Sequence, residues 1–308
     1  MKYLKLIRYQ NLLMLAFMQL IFRYGFLKLQ DITLALAYWH YLLLVVSTVS
    51  IAAGGYIINN IFDVATDHEN KPQNVIIGKH ISESKAYTFY FIFTVIGVFI
   101  GFYLSNVIGK PGFAALFIII AATLYLYATS LKQSLLIGNI IVALLLSLSI
   151  LIIGLFDLYP VTNPENRSVM GLLFMILLDY AIFAFMINFI REIVKDLEDI
   201  DGDKSQGMNT LPIVLGISKT TKLVLGLSLI PIFCILHYLN SYLFANDLQI
   251  STLYGIVFIL APLIYFTTKI GFAKSQNDFH HLSIVLKWIL FFGIISITII
   301  TFNMKNHA

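Results

Sequence analysis

The sequence has 308 residues, of which 59% are apolar and only 12% are charged, and its mean hydropathy is +0.87. A soluble domain carries about 25% charged residues, so the composition excludes an ordinary soluble globule and a disordered chain. It predicts an all-α polytopic membrane protein with a single transmembrane domain over residues 1–308. The net charge of +4 is too small and dispersed to indicate nucleic-acid binding. The single cysteine, Cys234, excludes an intramolecular disulfide and a cysteine-rich metal site.

Nine apolar runs follow one another along the chain, and several exceed the roughly 18 residues that separate membrane crossings from buried soluble helices. The first run follows Lys2, Lys5 and Arg8 but lacks a small-residue cleavage site, so we expect a retained helix and not a signal peptide. The predicted crossings lie at residues 12–26, 36–58, 86–105, 112–128, 135–156, 169–190, 221–239, 251–268 and 282–302. They predict nine transmembrane helices that are bundled around a central cavity.

Lysine and arginine are distributed unevenly between the two ends of these crossings. Most of them lie in the N-terminal segment and in the connections after the second, fourth, sixth and eighth crossings. Because basic residues concentrate on the cytoplasmic side, we predict a cytoplasmic N-terminus and an external C-terminus in the cell (inner) membrane. Arg23 and Lys287 lie near the ends of crossings, where we expect their side chains to reach the membrane interface.

Ten of the sixteen acidic residues lie in two connections, after the second and the sixth crossings. Each connection carries three polar residues at spacings of three and four, which would share one face of a helix. The triplets are Asn60, Asp63 and Asp67, and Asp196, Asp199 and Asp203. Stacked like charges repel one another, so the pattern predicts a compensating cation, and oxygen ligands of this type suit Mg²⁺. The alternative is a pair of solvated acidic loops.

The two segments, residues 59–72 and 191–204, divide the chain into two pseudo-equivalent halves on the same predicted membrane face. Both would bind one Mg²⁺-bridged polyphosphate, and basic side chains nearby would bind its remaining oxygens. The candidate donors are Lys71, Lys132, Arg191 and Lys195. Three tyrosines near the same helix ends, Tyr56, Tyr125 and Tyr127, either face a bound cation or belong to an interfacial aromatic belt.

At these residues the chain resembles the UbiA-type intramembrane prenyltransferases. The first signature of that family, NDxxDxxxD, is matched by NNIFDVATD over residues 59–67, which a basic, proline-containing stretch follows. The second is matched by DLEDIDGD over 196–203, and YATSLK over 127–132 is similar to the segment between the two signatures. The sequence RYQN over 8–11 is similar to the start of the family's first helix. Asn60 replaces the first aspartate of the signature and removes one negative charge.

The resemblance implies Mg²⁺-dependent transfer of a prenyl group from an isoprenyl diphosphate to a lipophilic acceptor in the membrane. It implies two Mg²⁺ ions, one on Asp63 and Asp67 and one on Asp199 and Asp203. It adds Asn59, Asn60 and Asp196 as further ligands. It also assigns catalytic roles to Lys132 and Tyr127. Substrate binding would involve Arg8, Asn11, Tyr56, Asn59, Asn60, Lys71, Tyr125, Arg191 and Lys195.

Within the family, the stretch over residues 191–216 most resembles the digeranylgeranylglyceryl phosphate synthase branch. The implied acceptor is then geranylgeranylglyceryl phosphate or a related glycerophosphate ether-lipid precursor. An aromatic prenyltransferase of menaquinone or ubiquinone synthesis is the alternative enzyme. A secondary transporter is the alternative from another class, although its polar groups would lie near the membrane midplane. No protein partner is implied.

Overall fold

The computed structural model describes residues 2–70, 72 and 75–307, apart from the side chain of His307. Within this part of the chain the fold is helical and contains no β-strand. The α-helices are α1 Lys2–Leu6, α2 Tyr9–Tyr24, α3 Tyr38–Phe62, α4 Val64–Asn70, α5 Glu83–Val107, α6 Ala114–Thr129, α7 Ile137–Asp157, α8 Arg167–Glu198, α9 Ile200–Ser205, α10 Leu211–Leu215, α11 Ile217–Tyr238, α12 Gln249–Gly255, α13 Ala261–Ile270 and α14 Gln276–His307.

Nine segments of the described chain are long and apolar enough to cross a membrane, which confirms the nine predicted crossings. They are Tyr9–Gln30, Tyr38–Phe62, Glu83–Val107, Pro111–Thr129, Ile137–Val161, Arg167–Glu198, Ile217–Asn246, Gln249–Ile270 and Gln276–Asn306. The sixth crossing, which was predicted to end at residue 190, is longer than expected. α8 continues to Glu198, so part of the second acidic segment belongs to the same helix.

The crossings pack as neighbours with their apolar faces in contact. α3 packs against α2, α5 and α6, while α8 packs against α7, α11 and α14. Small residues allow the closest approach between α3 and α5. A Cβ atom on Gly54 would lie 2.5 Å from Thr94 Oγ1, and one on Gly97 would lie 2.6 Å from Ile51 Cγ1. Both distances are far below van der Waals contact, so these glycines determine the spacing of the two helices.

A buried ion pair lies at the C-terminal end of α2. Arg23 and Asp157 are 1% and 0% exposed, and Arg23 Nε lies 3.4 Å from Asp157 Oδ2. Arg23 Nη2 also donates to the Leu36 carbonyl, and the Leu36 N–H donates to Asp157 Oδ1 at 3.0 Å. The expectation that Arg23 reaches the interface is therefore wrong, because a partner from α7 holds its charge inside the protein.

Candidate active site

One open polar cavity lies at the end of the bundle where α2 begins and where α3 and α8 end. Both acidic segments reach it, together with basic residues from α1, the α1–α2 junction, α8, α14 and the connection between α6 and α7. The acidic, lysine and arginine residues that line it are Lys5, Arg8, Asp63, Asp67, Lys132, Arg191, Glu192, Lys195, Asp196, Asp199, Asp203 and Lys287. The fold therefore brings two segments that are distant in sequence into one site.

The two acidic segments have the same local shape. α3 and α4 meet at Asp63, and α8 and α9 meet at Asp199. In each segment the acid at the junction accepts a backbone hydrogen bond from the acid four residues later. The Asp67 N–H donates to the Asp63 carbonyl at 2.8 Å, and the Asp203 N–H donates to the Asp199 carbonyl at 3.1 Å. The prediction of one unbroken helical face is wrong, because each long helix ends at its middle acid. The equal spacing instead places one carboxylate at each junction and another one turn beyond it.

The two short helices that follow the junctions, α4 and α9, are bound to each other. The Asn70 side chain donates to the Asp199 carbonyl at 3.0 Å and accepts from the Gly202 N–H at 2.9 Å. A Cβ atom on Gly202 would lie 2.4 Å from Asn70 Nδ2, so this contact requires glycine. Ser205 adds a hydrogen bond to Glu69. These contacts hold the two acidic segments side by side.

Asp63 interacts with two side chains that the sequence assigned to the site. The Lys132 ammonium forms an ion pair with Asp63 Oδ1, and Asn59 Nδ2 donates to Asp63 Oδ2. Lys132 lies in the segment between α6 and α7, so this ion pair links that segment to the α3–α4 junction. It places a positive charge directly beside the first carboxylate of the cavity.

The donors in this cavity fit a magnesium ion that a phosphorylated ligand helps to hold. Asn59 Oδ1 is buried and makes no hydrogen bond within the described chain, so one amide oxygen remains available beside Asp63. No three His, Cys, Asp or Glu side chains of the described residues lie close enough together to hold a metal by themselves. Mg²⁺ commonly takes one or two carboxylates and completes its shell with waters and substrate phosphates, which this arrangement suits.

Asn60 lines the polar cavity, and its side-chain amide is bound to the N-terminal segment. Its Nδ2 donates to the Leu6 carbonyl at 2.7 Å, and its Oδ1 accepts from Arg8 Nη2 at 3.2 Å. Both ends of the amide therefore bind the N-terminal segment and hold it beside the cavity. Arg8 has a left-handed backbone (φ 49°) between α1 and α2, and its guanidinium lies 5.4 Å from the centre of the Tyr56 ring.

Further contacts position the acids of α8. Lys195 Nζ donates to Glu192 Oε1 at 2.8 Å, and Asn139 Nδ2 of α7 donates to Asp196 Oδ2 at 2.8 Å. Asp196 thus holds α8 against α7 at the floor of the cavity. Glu192 and Asn139 are residues of this region that were not predicted from the sequence. Lys71, which was predicted to bind substrate, lies outside the described residues.

The three candidate tyrosines do not face the same space. Tyr127 lines the polar cavity, and Tyr56 lines the apolar space that adjoins it. Tyr125 is 42% exposed, and its ring lies 6.3 Å from that of Tyr90 on the outer surface. Residues two apart on a helix differ by about 200° in direction, so Tyr125 and Tyr127 cannot line one cavity. The structure does not support the predicted substrate contact of Tyr125.

Two apolar branches lead from the polar cavity into the bundle. The first, here called the α6 branch, lies between α2, α3, α6 and α7, and its lining includes Ile51, Phe117 and Leu145. The second, here called the α14 branch, lies between α2, α7, α8 and α14 and is lined by residues such as Phe183 and Leu290. Asn11, Leu15, Tyr56, Leu146, Ser149 and Arg191 line both branches. The site therefore joins one charged chamber to two apolar spaces.

Lys287 lines the site although its sequence position predicted a side chain at the membrane interface. Its side chain lines the polar cavity and the α14 branch, and its Nζ donates to Asn11 Oδ1 at 3.1 Å. The expectation that it reaches the membrane interface is not supported. The available signal was a lysine inside an apolar crossing, because charges in such segments usually serve a function or have a partner. Asn70 had no comparable signal, since its partners lie on a distant part of the chain.

Residues 30–290 match the UbiA prenyltransferase family. The chain is 37% identical over 188 residues to digeranylgeranylglyceryl phosphate synthase of Sulfolobus acidocaldarius, which covers 60% of this chain and 61% of that protein. That match spans less than two thirds of the relative's length. The chain is also 30% identical over 245 residues to the protein of the same name from Methanosphaera stadtmanae, which covers 78% of this chain and 80% of the relative.

A solved structure of a UbiA homologue from Archaeoglobus fulgidus, bound to DMAPP and Mg²⁺, has a similar fold. The TM-score is 0.62 at 16% identity, and the match covers 96% of this chain and 99% of the homologue. The helix bundle therefore has the architecture of these proteins. The family match covers both acidic segments. It also covers seven complete crossings, from Tyr38–Phe62 to Gln249–Ile270. We conclude that this chain is an integral membrane protein that belongs to the UbiA prenyltransferase family.

Proposed function

We propose that the protein transfers a prenyl group from a prenyl diphosphate to a hydroxyl of geranylgeranylglyceryl phosphate or of a related glycerophosphate ether-lipid precursor. The observation that carries this proposal is the single cavity in which two acidic segments face basic side chains and from which two apolar branches extend. The relatives named digeranylgeranylglyceryl phosphate synthase support the acceptor, and the homologue bound to DMAPP and Mg²⁺ supports the donor. The positive-inside pattern favours a site that faces the cytoplasm.

The residues that would hold Mg²⁺ are Asp63, Asp67, Asp199 and Asp203, with Asn59 and Asp196 as neighbouring oxygen donors. When bound, the metal neutralises the diphosphate and thereby makes it a better leaving group. We propose two ions, one for each acidic segment, because the segments have matching junctions. Asn60 is omitted from this set because its amide binds Leu6 and Arg8.

Basic side chains around the acids would bind the oxygens of the donor that the metal leaves free. Lys132 already lies beside Asp63, so a diphosphate held there is within reach of its ammonium group. Arg8 and Lys195 line both the polar cavity and the α6 branch. Charge-assisted hydrogen bonds from such groups are about twice as strong as neutral ones. These residues would orient the diphosphate with its prenyl chain in the α6 branch.

The proposed reaction exchanges one carbon–oxygen bond for another. The bond between C1 of the prenyl chain and the diphosphate oxygen breaks, and the diphosphate leaves with the electron pair. The acceptor oxygen forms a new bond to C1 and releases its proton to solvent. Positive charge develops at the allylic carbon during this exchange, and aromatic faces stabilise such charge. Tyr56 and Tyr127 line the region where the polar cavity meets the α6 branch, which suits this role.

The location of the acids also separates this proposal from a transporter. Binding sites of secondary transporters lie near the membrane midplane on broken helices. Here the acids follow the last turns of two long crossings, at one end of the bundle. That arrangement suits chemistry on a phosphorylated head group whose apolar chain remains in the membrane.

The purified protein in lipid vesicles tests the proposal directly. It would be incubated with Mg²⁺, a series of prenyl diphosphates and one of two acceptors, geranylgeranylglyceryl phosphate or 1,4-dihydroxy-2-naphthoate. We expect a dialkylated glycerophosphate product, with one diphosphate released for each prenyl group transferred. Product formed only with the aromatic acid would overturn the proposed acceptor and favour quinone synthesis. Accumulation of an intact substrate inside the vesicles would favour the transporter.

A further inference from the structure

The α14 branch has two cationic side chains where it meets the polar cavity. Arg191 extends from α8 and Lys287 extends from α14, and both line the branch as well as the cavity. Lys287 does not line the α6 branch, so it distinguishes the two apolar spaces. None of the aspartates of the two acidic segments lines the α14 branch. Its entrance therefore has an excess of positive charge.

The contacts of these two side chains leave their charges available to a ligand. Arg191 Nε donates to the Ser283 carbonyl at 3.2 Å, while its Nη1 lies 3.7 Å from Glu192 Oε1, which is longer than a hydrogen bond. Lys287 donates to the neutral Asn11 amide. Among the described residues, no carboxylate oxygen lies within 4.0 Å of its ammonium group.

The positive charges of Arg191 and Lys195 repel the Lys287 ammonium group. Lys195 is compensated by Glu192, at 2.8 Å, but Lys287 has no such partner in the described chain. Two like charges at the entrance of an apolar space are unfavourable unless an anion joins them. An arginine guanidinium and a lysine ammonium together are donors that suit a phosphate group.

We propose that Arg191 and Lys287 bind the phosphate of the acceptor and that the acceptor's apolar chain lies in the α14 branch. This inference rests on the proposed function and divides the site between the two substrates. The donor's diphosphate belongs to the acidic segments, and its chain belongs to the α6 branch. The two head groups then meet near Asn11 and Tyr56, which line both branches. The acceptor phosphate is bound and not altered, so its role is to position the hydroxyl that attacks C1.

The variant Lys287→Gln tests this assignment because it removes the charge and retains a polar side chain of similar length. The assay compares geranylgeranylglyceryl phosphate with geranylgeranylglycerol, which lacks only the phosphate. We expect the KM for the phosphorylated acceptor to rise at least about tenfold, because the variant loses a charge-assisted hydrogen bond to the phosphate. The KM for the prenyl diphosphate and the KM for the unphosphorylated acceptor should each stay within about twofold of the wild-type value.

Two further variants separate this role from a loss of folding. Lys287→Arg keeps the positive charge and should restore the KM for the phosphorylated acceptor to within a few-fold of the wild-type value. Lys305→Gln changes another lysine of α14, which is exposed near the C-terminal end of that helix and lines neither the polar cavity nor the α14 branch. It should leave all three KM values unchanged. A binding measurement with radiolabelled phosphorylated acceptor, without donor or Mg²⁺, should show the same order of affinities.

The outcomes distinguish this inference from the proposed function. If Lys287→Gln raises the KM for the prenyl diphosphate, or raises the KM for both acceptors equally, the assignment of the acceptor phosphate is wrong. If the variant binds and uses the phosphorylated acceptor as well as the wild type does, the assignment is also wrong although the proposed function stands. If the wild type itself transfers no prenyl group to the glycerophosphate, the proposed function has failed.

Discussion

The two ends of the bundle contain charged residues in different arrangements. At one end, Arg23 and Asp157 are almost completely buried and bind each other and the backbone of Leu36. At the other end, acidic and basic side chains line an open cavity. Each charge of the buried pair is compensated by the other, so the pair links α2 to α7. Some donors and acceptors of the open cavity, such as Asn59 Oδ1, have no hydrogen-bond partner among the described residues. Such groups are typical of a ligand site.

This difference shows why charge in a membrane protein must be interpreted together with burial and pairing. Arg23 and Lys287 look alike in sequence, because each is a lone basic residue in an apolar crossing. Arg23 has a carboxylate partner from α7, whereas Lys287 has a neutral amide partner and faces a cavity. The first arrangement predicts a loss of stability on mutation, and the second predicts a loss of function. The following predictions test that separation.

The largest effect is expected from the acids of the open cavity. Asp67→Asn and Asp199→Asn should each lower Mg²⁺-dependent diphosphate release by about 10³-fold, because metal charge contributes several kcal/mol to stabilisation of the leaving group. Thermal unfolding in detergent should change little. Asp201→Asn is the matched control, since Asp201 is exposed on α9 and does not line the cavity. Full activity in either cavity variant would refute its assignment to the metal site.

The next effect concerns the buried pair. Arg23→Met should destabilise the protein by about 3 kcal/mol, because it leaves the Asp157 carboxylate buried without its cation. Thermal and denaturant unfolding in detergent would measure this loss. The double variant Arg23→Met with Asp157→Leu should recover part of the stability, since neither charge then remains buried. The folded fraction of Arg23→Met should keep the wild-type KM for both substrates. A changed KM would mean that the buried pair also contributes to function.

The smallest effect tests Asn60, where a positioning role and a metal-ligand role predict different results. Asn60→Asp replaces the donor to the Leu6 carbonyl with an acceptor, which should weaken attachment of α1 by about 1–3 kcal/mol. Hydrogen exchange at the amides of α1 should therefore become faster by about tenfold. The Mg²⁺ concentration for half-maximal activity should remain within about twofold of the wild-type value. A marked decrease in that concentration would instead indicate that residue 60 binds the metal.

The sequence was sufficient to predict the number of crossings and the two acidic segments. Composition and the length of apolar runs predict membrane helices because a helix must bury its backbone polar groups and present an apolar surface over a defined length. The concentration of acids at two helix ends also predicted one shared site, and Asp63, Asp67, Asp199 and Asp203 line one cavity. These features are local, so a short window of sequence contains the information that determines them.

Tertiary structure decided which of these residues bind each other and which remain available to a ligand. Asn60 turns to the N-terminal segment, Asn70 joins the two acidic segments, and Lys287 faces the α14 branch. No short window of sequence reveals these roles, because each partner lies on a helix that is distant along the chain. The sequence by itself therefore determined a membrane bundle with two acidic helix ends. Packing of distant helices decided how the charges are shared, since the pairing of a charge depends on what lies within a few ångströms of it.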